Sequence, residues 1–318
     1  MSPSSPHPCV LAAGFLPDDA MAMLQERYCV HDYHNAPDKP ALLASVAMDV
    51  RCVVGTSHAQ MPAALLNVLP NLAQISIYGM GYEKIDLAPL RSRQITLTNT
   101  PDVMVEDVAD LGMTLILATV RRVIAADRFV RAGHCASQAM PFSHSVRGLT
   151  LGIAGLGRIG REIARRAEVF GMQIKYFNRR QRHDVPYDFV PTLQALAEQA
   201  DVLLLCTPGG EATLHLVNAD ILAALGPQGT LINIGRGSLV DEQALVEALG
   251  NGTIAAAGLD VFADLAQPPA ALFSLDNVVL SPHRGSATVE SRSAMARLFV
   301  ANVDAFFKGQ PLLTPVTL

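Results

Sequence analysis

The chain has 318 residues, about twice a usual single-domain length, and half of them are hydrophobic, enough for two buried cores. Its apolar runs, such as residues 111–120, fall far short of the roughly 20 residues that a membrane-crossing helix needs. Twenty-four lysines and arginines against 29 acids give a net charge of −5, with no strong basic face to suggest a nucleic-acid partner.

The start, residues 1–8, is rich in serine and proline and lacks the positive end and long apolar stretch of a secretory signal. Residues 9–13 read as a strand, followed by a helix from about Pro17 that carries Met21, Met23 and Leu24. Cys52-Val53-Val54 and Ile75-Ser76-Ile77 repeat the cycle. Continuous Val/Ile/Leu strands separated by helices predict a parallel sheet covered on both faces. Asn99-Thr100-Pro101 then breaks the pattern, because proline restricts itself and the residue before it. One long helix is predicted over 103–130, with apolar residues at three- and four-residue spacing. After a loop at 133–144 a second series offers six strands, at 149–154, 173–177, 202–206, 230–234, 254–259 and 278–280. A helix over about 287–307 closes the chain.

A parallel unit interrupting another α/β unit predicts an inserted domain with crossovers near Asn99 and Arg284. The expected division is 1–99 with 285–318, and 100–284. The five cysteines (Cys9, Cys29, Cys52, Cys135, Cys206) are odd in number and scattered, with no CxxC and no Cys/His cluster. They read as reduced core thiols of a cytoplasmic protein, and no metal site is expected.

Gly155-Leu156-Gly157-Arg158-Ile159-Gly160 follows one predicted strand and opens a helix, the context in which GxGxxG has a mechanism. Gly155 permits the tight turn, Gly157 lets a pyrophosphate approach the backbone, and Gly160 packs helix against strand. The helix N-terminus offers free N–H groups and the positive end of a dipole to phosphates. Some twenty residues on, the next strand ends in Asn178-Arg179-Arg180. An acid there would take the ribose 2′-OH of NAD, whereas a neutral residue and guanidinium forks suit a 2′-phosphate. NADP(H) is therefore favoured over NAD(H). The alternative is that Arg179 and Arg180 are solvated loop charges.

Seven ordered blocks closely resemble the D-2-hydroxyacid dehydrogenase family over nearly the whole chain: residues 79–86, 99–103, 108–110, 152–160, 233–241, 258–262 and 281–283. The nearest subgroup is the NADPH-dependent glyoxylate, hydroxypyruvate and hydroxyphenylpyruvate reductases. The resemblance implies a Rossmann nucleotide-binding domain inserted into a flavodoxin-like substrate domain. It also implies a homodimer, with the long helix after Asn99 in the interface, and reduction of a 2-keto acid by hydride from NADP(H). Arg236 matches the family's substrate arginine, and His283 its general acid. The chemistry suits them: a cation grips the carboxylate and polarises the ketone, and an acid protonates the emerging alkoxide. Met80 and Gly81 match the family's carboxylate contact. Cys206-Thr207-Pro208, Ile234 and Asp260, with Arg158 and Ile159 of the glycine loop, match its cofactor lining. His58 could face the substrate, although exposure is the plainer reading.

One departure bears on catalysis. The family places a glutamate, partner of the histidine, five residues after the aspartate that matches Asp260, and here that position is Leu265, followed by Ala266. Leucine accepts no hydrogen bond and does not favour an imidazolium. Asp264 is the candidate substitute; alternatively another group orients His283 in a slower enzyme that prefers lower pH. The competing reading of the whole chain is a protein that binds NADP(H) with weak or lost catalysis. A second departure, Cys135 where relatives carry tryptophan, bears on local packing.

Overall fold

A computed structural model describes residues 7–318. Most of the Ser/Pro-rich start therefore lies outside the described residues. The described residues form two compact units, one of residues 7–104 with 289–318 and one of residues 105–288.

The first unit runs β1 (Cys9–Ala12), α1 (Asp18–Gln25), β2 (Cys29–Asp32), α2 (Lys39–Val46), β3 (Val50–Thr56), α3 (Ala63–Asn67), β4 (Gln74–Tyr78), α4 (Leu87–Arg93) and β5 (Thr96–Thr98). Its five strands are all parallel in the order β2-β1-β3-β4-β5. That is the flavodoxin-like order, with its switch point between β1 and β3. Val53, Ile75 and Ile77 are fully or almost fully buried against Leu66, Leu69 and Leu90.

The second unit begins with α5 (Val105–Val120) and α6 (Val123–Arg131). It continues with β6 (Thr150–Ala154), α7 (Arg158–Val169), β7 (Gln173–Phe177), β8 (Asp188–Phe189), α8 (Leu193–Gln199), β9 (Val202–Leu205), α9 (Ala219–Leu225), β10 (Thr230–Asn233), α10 (Glu242–Asn251), β11 (Ala256–Leu259) and β12 (Val278–Leu280). All seven strands are parallel, in the order β12-β11-β10-β9-β6-β7-β8. The order reverses between β6 and β9, the Rossmann switch point. The last helix, α11 (Val289–Phe307), returns to the first unit and packs on β4 and α1.

Three sequence expectations need correction. The helix expected over 103–130 is two helices, because Arg122 adopts a left-handed conformation (φ 52°) and ends the first. The second sheet has a seventh strand, β8, whose two residues are too few to show a pattern. The cysteines are not all scattered: parallel pairing sets Cys9 beside Cys29, and His31 joins them on the same face. Among the described residues no helix is long and apolar enough to cross a membrane.

Candidate active site

Strand ends build the site in the second unit. Every candidate residue of this unit outside the 264–265 segment follows the carboxyl end of a strand by a few positions: Gly155 after β6, Asn178 after β7, Cys206 after β9, Ile234 and Arg236 after β10, Asp260 after β11, His283 after β12. In a parallel sheet these ends share one edge, where open α/β sheets bind ligands.

The glycine loop is shaped to receive phosphates. Gly155 has φ +103°, and a Cβ there would lie 2.8 Å from the Cys206 carbonyl, so only glycine makes this turn. Gly157 caps α7, and a Cβ there would meet nothing within 4 Å, which leaves open space beside its backbone. Asn178 is part of the same device, since its Oδ1 accepts the Leu156 N–H at 2.8 Å. The residues thus fit a dinucleotide: a glycine-only turn, an open approach and a helix N-terminus in one place. Arg158 and Ile159 begin α7 directly behind that turn.

The arginines after β7 divide into two groups. Arg182 holds Asp184 through two hydrogen bonds (2.9 and 3.0 Å), and Arg161 pairs with the same carboxylate. Arg182 and Arg161 hold the Asp184 carboxyl well below the ordinary carboxylate range. Arg179 and Arg180 are exposed and have no ion-pair partner among the described residues. Two guanidinium groups therefore stand available beside Asn178.

Cys206, with Thr207 and Pro208, follows β9, and its N–H donates to the Ala154 carbonyl at 2.9 Å. Burial pushes the Cys206 thiol up to about 12, opposed by the Gly160 N–H and the Arg236 charge. The thiol is thus neutral and unreactive, a packing group at the head of α7.

Arg236 sits in a turn that Asn233 organises. The Asn233 side chain accepts from the Gly235 N–H (3.1 Å) and donates to the Arg236 carbonyl (2.9 Å). A Cβ at Gly237 would come within 1.8 Å of the Phe262 backbone, so the chain following Arg236 is clamped against the segment after β11. The Arg236 side chain bends back to its neighbour's carbonyl (Nη1 to Gly235, 2.8 Å). Ile234 beside it is buried.

Asp260 plays a role that its resemblance to a cofactor-lining residue did not suggest. It is 2% exposed, and its carboxylate accepts from Ser281 Oγ and from the Arg284 and Gly285 N–H groups (2.7 and 3.0 Å). The His283 N–H donates to its carbonyl at 2.8 Å. One buried acid therefore fixes the loop that carries His283, and His283 itself is left-handed (φ 55°). Strain of this kind, of order 1–3 kcal/mol, persists where surrounding bonds over-determine it. Asn233, Asp260 and Ser281 are the functional residues that sequence reasoning missed as organisers; the signal was a small polar residue at or near each strand end.

Leu265 lies on an exposed segment, itself 42% exposed. Glu242 tethers that segment by accepting the Ala263 N–H at 2.7 Å. Asp264 is exposed, and its carboxylate turns back to accept the Ala266 N–H at 2.9 Å, so the proposed substitute acid already has a local task.

In the first unit Met80 and Gly81 follow β4. Thr100 and Asn99 pin this loop: Thr100 Oγ1 accepts the Gly79 N–H at 3.0 Å, and the Asn99 amide donates to the Met80 carbonyl at 2.8 Å. His58 is exposed on the loop after β3.

Two parallel sheets, a glycine loop at a switch point and an arginine and a histidine on strand ends of the same sheet edge define the class of dinucleotide-binding dehydrogenases. Within that class the comparisons are specific. The NAD-binding domain of D-isomer specific 2-hydroxyacid dehydrogenases matches residues 113–285. A glyoxylate/hydroxypyruvate reductase of Arabidopsis thaliana (HPR2) is 45% identical over 92% of this chain and 94% of its own. A hydroxyphenylpyruvate reductase of Plectranthus scutellarioides is 43% identical over 92% of this chain and 94% of its own. Among solved structures, an NADPH-dependent glyoxylate/hydroxypyruvate reductase of Sinorhizobium meliloti, in complex with NADP and malonate, superposes with a TM-score of 0.90. It is 42% identical and covers 98% of this chain and 97% of its own. The chain belongs to the D-isomer specific 2-hydroxyacid dehydrogenase family. Nothing among these relatives supports the alternative in which catalysis is lost.

Proposed function

We propose that the chain is an NADP(H)-dependent reductase of small or aromatic 2-keto acids, of the glyoxylate and hydroxypyruvate type. The observation that carries this reading is the joint presence of Arg236 and His283, each held by dedicated hydrogen bonds at the carboxyl edge of the sheet that bears the glycine loop. Arg179 and Arg180 support NADP(H) over NAD(H), since a 2′-phosphate would find two uncommitted guanidinium groups there.

When bound, the cofactor supplies the hydride that C2 of the keto acid accepts. The Arg236 guanidinium binds the substrate and stabilises negative charge on the carbonyl oxygen as C2 is reduced. An imidazole N–H of His283 delivers the proton that this oxygen takes, and the histidine regains it from solvent. Met80 and Gly81 are proposed to contact the substrate carboxylate through backbone N–H groups. Cys206, Thr207, Pro208, Ile234 and Asp260 are proposed to line the cofactor, Asp260 while anchoring the His283 loop.

The family's glutamate position is Leu265 here, and we propose that a carboxylate restored there would add to the contacts that hold His283 and extend turnover towards neutral pH. We also propose a homodimer built on α5 and α6. Val123 and Val130 of α6 are 49% and 62% exposed, and Phe142, which lines a cavity of about 470 Å³ at the amino edge of the second sheet, is 99% exposed. Free thiols throughout fit a cytoplasmic location.

The test is loss of NADPH absorbance with glyoxylate, hydroxypyruvate and hydroxyphenylpyruvate, from acid to neutral pH. Saturable oxidation with at least one of them is expected. Tight NADPH binding without turnover of any 2-keto acid would refute the assignment.

A further inference from the structure

The first unit holds a cluster of soft ligands away from the residues just described. Cys29 and His31 are two apart on β2, and side chains at that spacing share one face of a strand. The parallel register pairs Cys9 with Cys29, which sets Cys9 on the same face one strand spacing away. One ligand atom from each of the three residues lies within 4.8 Å of the others. Cys9 and Cys29 begin their strands, so the cluster lies at the amino edge of this sheet, whereas Met80 and Gly81 follow a carboxyl end.

We infer that Cys9, Cys29 and His31 form a binding site for a thiophilic divalent cation, zinc being the fitting ion. The distances carry the inference. With Zn–S near 2.3 Å and Zn–N near 2.0–2.1 Å at tetrahedral angles, a sulfur and a nitrogen ligand stand about 3.6 Å apart. Cys29 Sγ and His31 Nε2 are 3.6 Å apart. All three residues are half-buried on or beside the edge strand, so an ion can enter without unfolding the sheet. Two thiolates neutralise the ion's charge, each thiol giving up its proton to solvent as the sulfur–metal bond forms. A water completes the tetrahedron, the fourth position that a three-ligand zinc site leaves open.

The competing fate of such a pair is a cross-strand disulfide. Cys9 and Cys29 are free thiols, and His31 stands with them as a third ligand that a disulfide would leave unused. A cation displaces the thiol protons directly. The bound ion would tie the start of β1 to the edge strand β2 and leave the reductase site untouched.

The test uses the full-length, tag-free, reduced protein titrated with Co²⁺ alone and then with Zn²⁺. One Co²⁺ per chain is expected, with the thiolate charge-transfer absorption and tetrahedral d–d bands, both displaced by Zn²⁺. Since loss of an outer-shell partner alone costs about 10–100-fold in metal affinity, Cys29→Ser and His31→Gln should each weaken binding by about 100-fold or more. Cys135→Ser, at an exposed cysteine in the second unit, should leave it unchanged. If Cys29→Ser fails to give native near-UV circular dichroism, His31→Gln carries the comparison. No thiolate band at one equivalent, a band that survives Cys29→Ser in folded protein, or a Cys9–Cys29 disulfide as the state of the purified chain would overturn the assignment.

Discussion

Arg179 and Arg180 matter because the neighbouring arginines are already spent. Asp184 takes Arg182 and Arg161, so the charge left at the end of β7 belongs to two side chains. Replacing both with alanine should raise KM for NADPH by about 10- to 100-fold, the ~1.5–3 kcal/mol of a hydrogen bond to a charged group. KM for NADH should stay unchanged, and steady-state kinetics with both cofactors read the difference. At position 265 the expected change is a gain. Leu265→Glu supplies an acceptor that favours the imidazolium, so His283 keeps its proton to higher pH. A shift of one pKa unit corresponds to about 1.4 kcal/mol, and activity near neutral pH should rise up to about tenfold while acid-side activity stays level. A pH–rate profile of the two proteins checks it. Among single residues, the glycine loop, Arg236 and His283 were legible because their types and flanking blocks are distinctive. Asp260's role was not, because whether a carboxylate meets a cofactor or its own chain depends on how Ser281, Arg284 and Gly285 fold back to it.

At the scale of elements, long apolar strands announced themselves and short polar ones did not. β4 and β9 are buried throughout and read directly as interior strands. β2, with His31 and Asp32 in four residues, and β5, with three, carry too little pattern to stand out. The same blindness hid the Cys9, Cys29 and His31 cluster, which exists only through the register of β1 on β2. Helix ends obeyed local rules where the residue was typical: Asp38, Asp86, Thr192, Asn218 and Asp241 all cap their helices by side chain. Gln94 is the atypical one, exposed and left-handed (φ 56°) where α4 ends. Glycine is the favoured residue for such a cap. Gln94→Gly should therefore stabilise the chain by about 1 kcal/mol. Its thermal midpoint should rise by about 1–2 °C in a calorimetric scan.

Over the whole molecule, alternation of strands and helices gave the α/β class and both parallel sheets, because period and chain order survive in sequence. Surface association is less legible, since exposed apolar residues on α6 and near Phe142 look like any loop or helix residues until the fold leaves them outside. If two copies pair through this face, Val130→Asp and Phe142→Asp together should convert a dimer to a monomer by light scattering. NADPH binding to the folded monomer should persist.

The central claim, that the carboxyl edge of the second sheet reduces 2-keto acids with His283 as the proton donor, has a direct measurement. His283→Ala should lower kcat for the best keto acid by about 10²- to 10⁴-fold, the usual worth of a positioned general acid. NADPH affinity, read by fluorescence titration, should remain within about twofold, since the glycine loop and the residue after β7 lie on other strand ends. A His283→Ala enzyme that turns over at the parent rate would contradict the account.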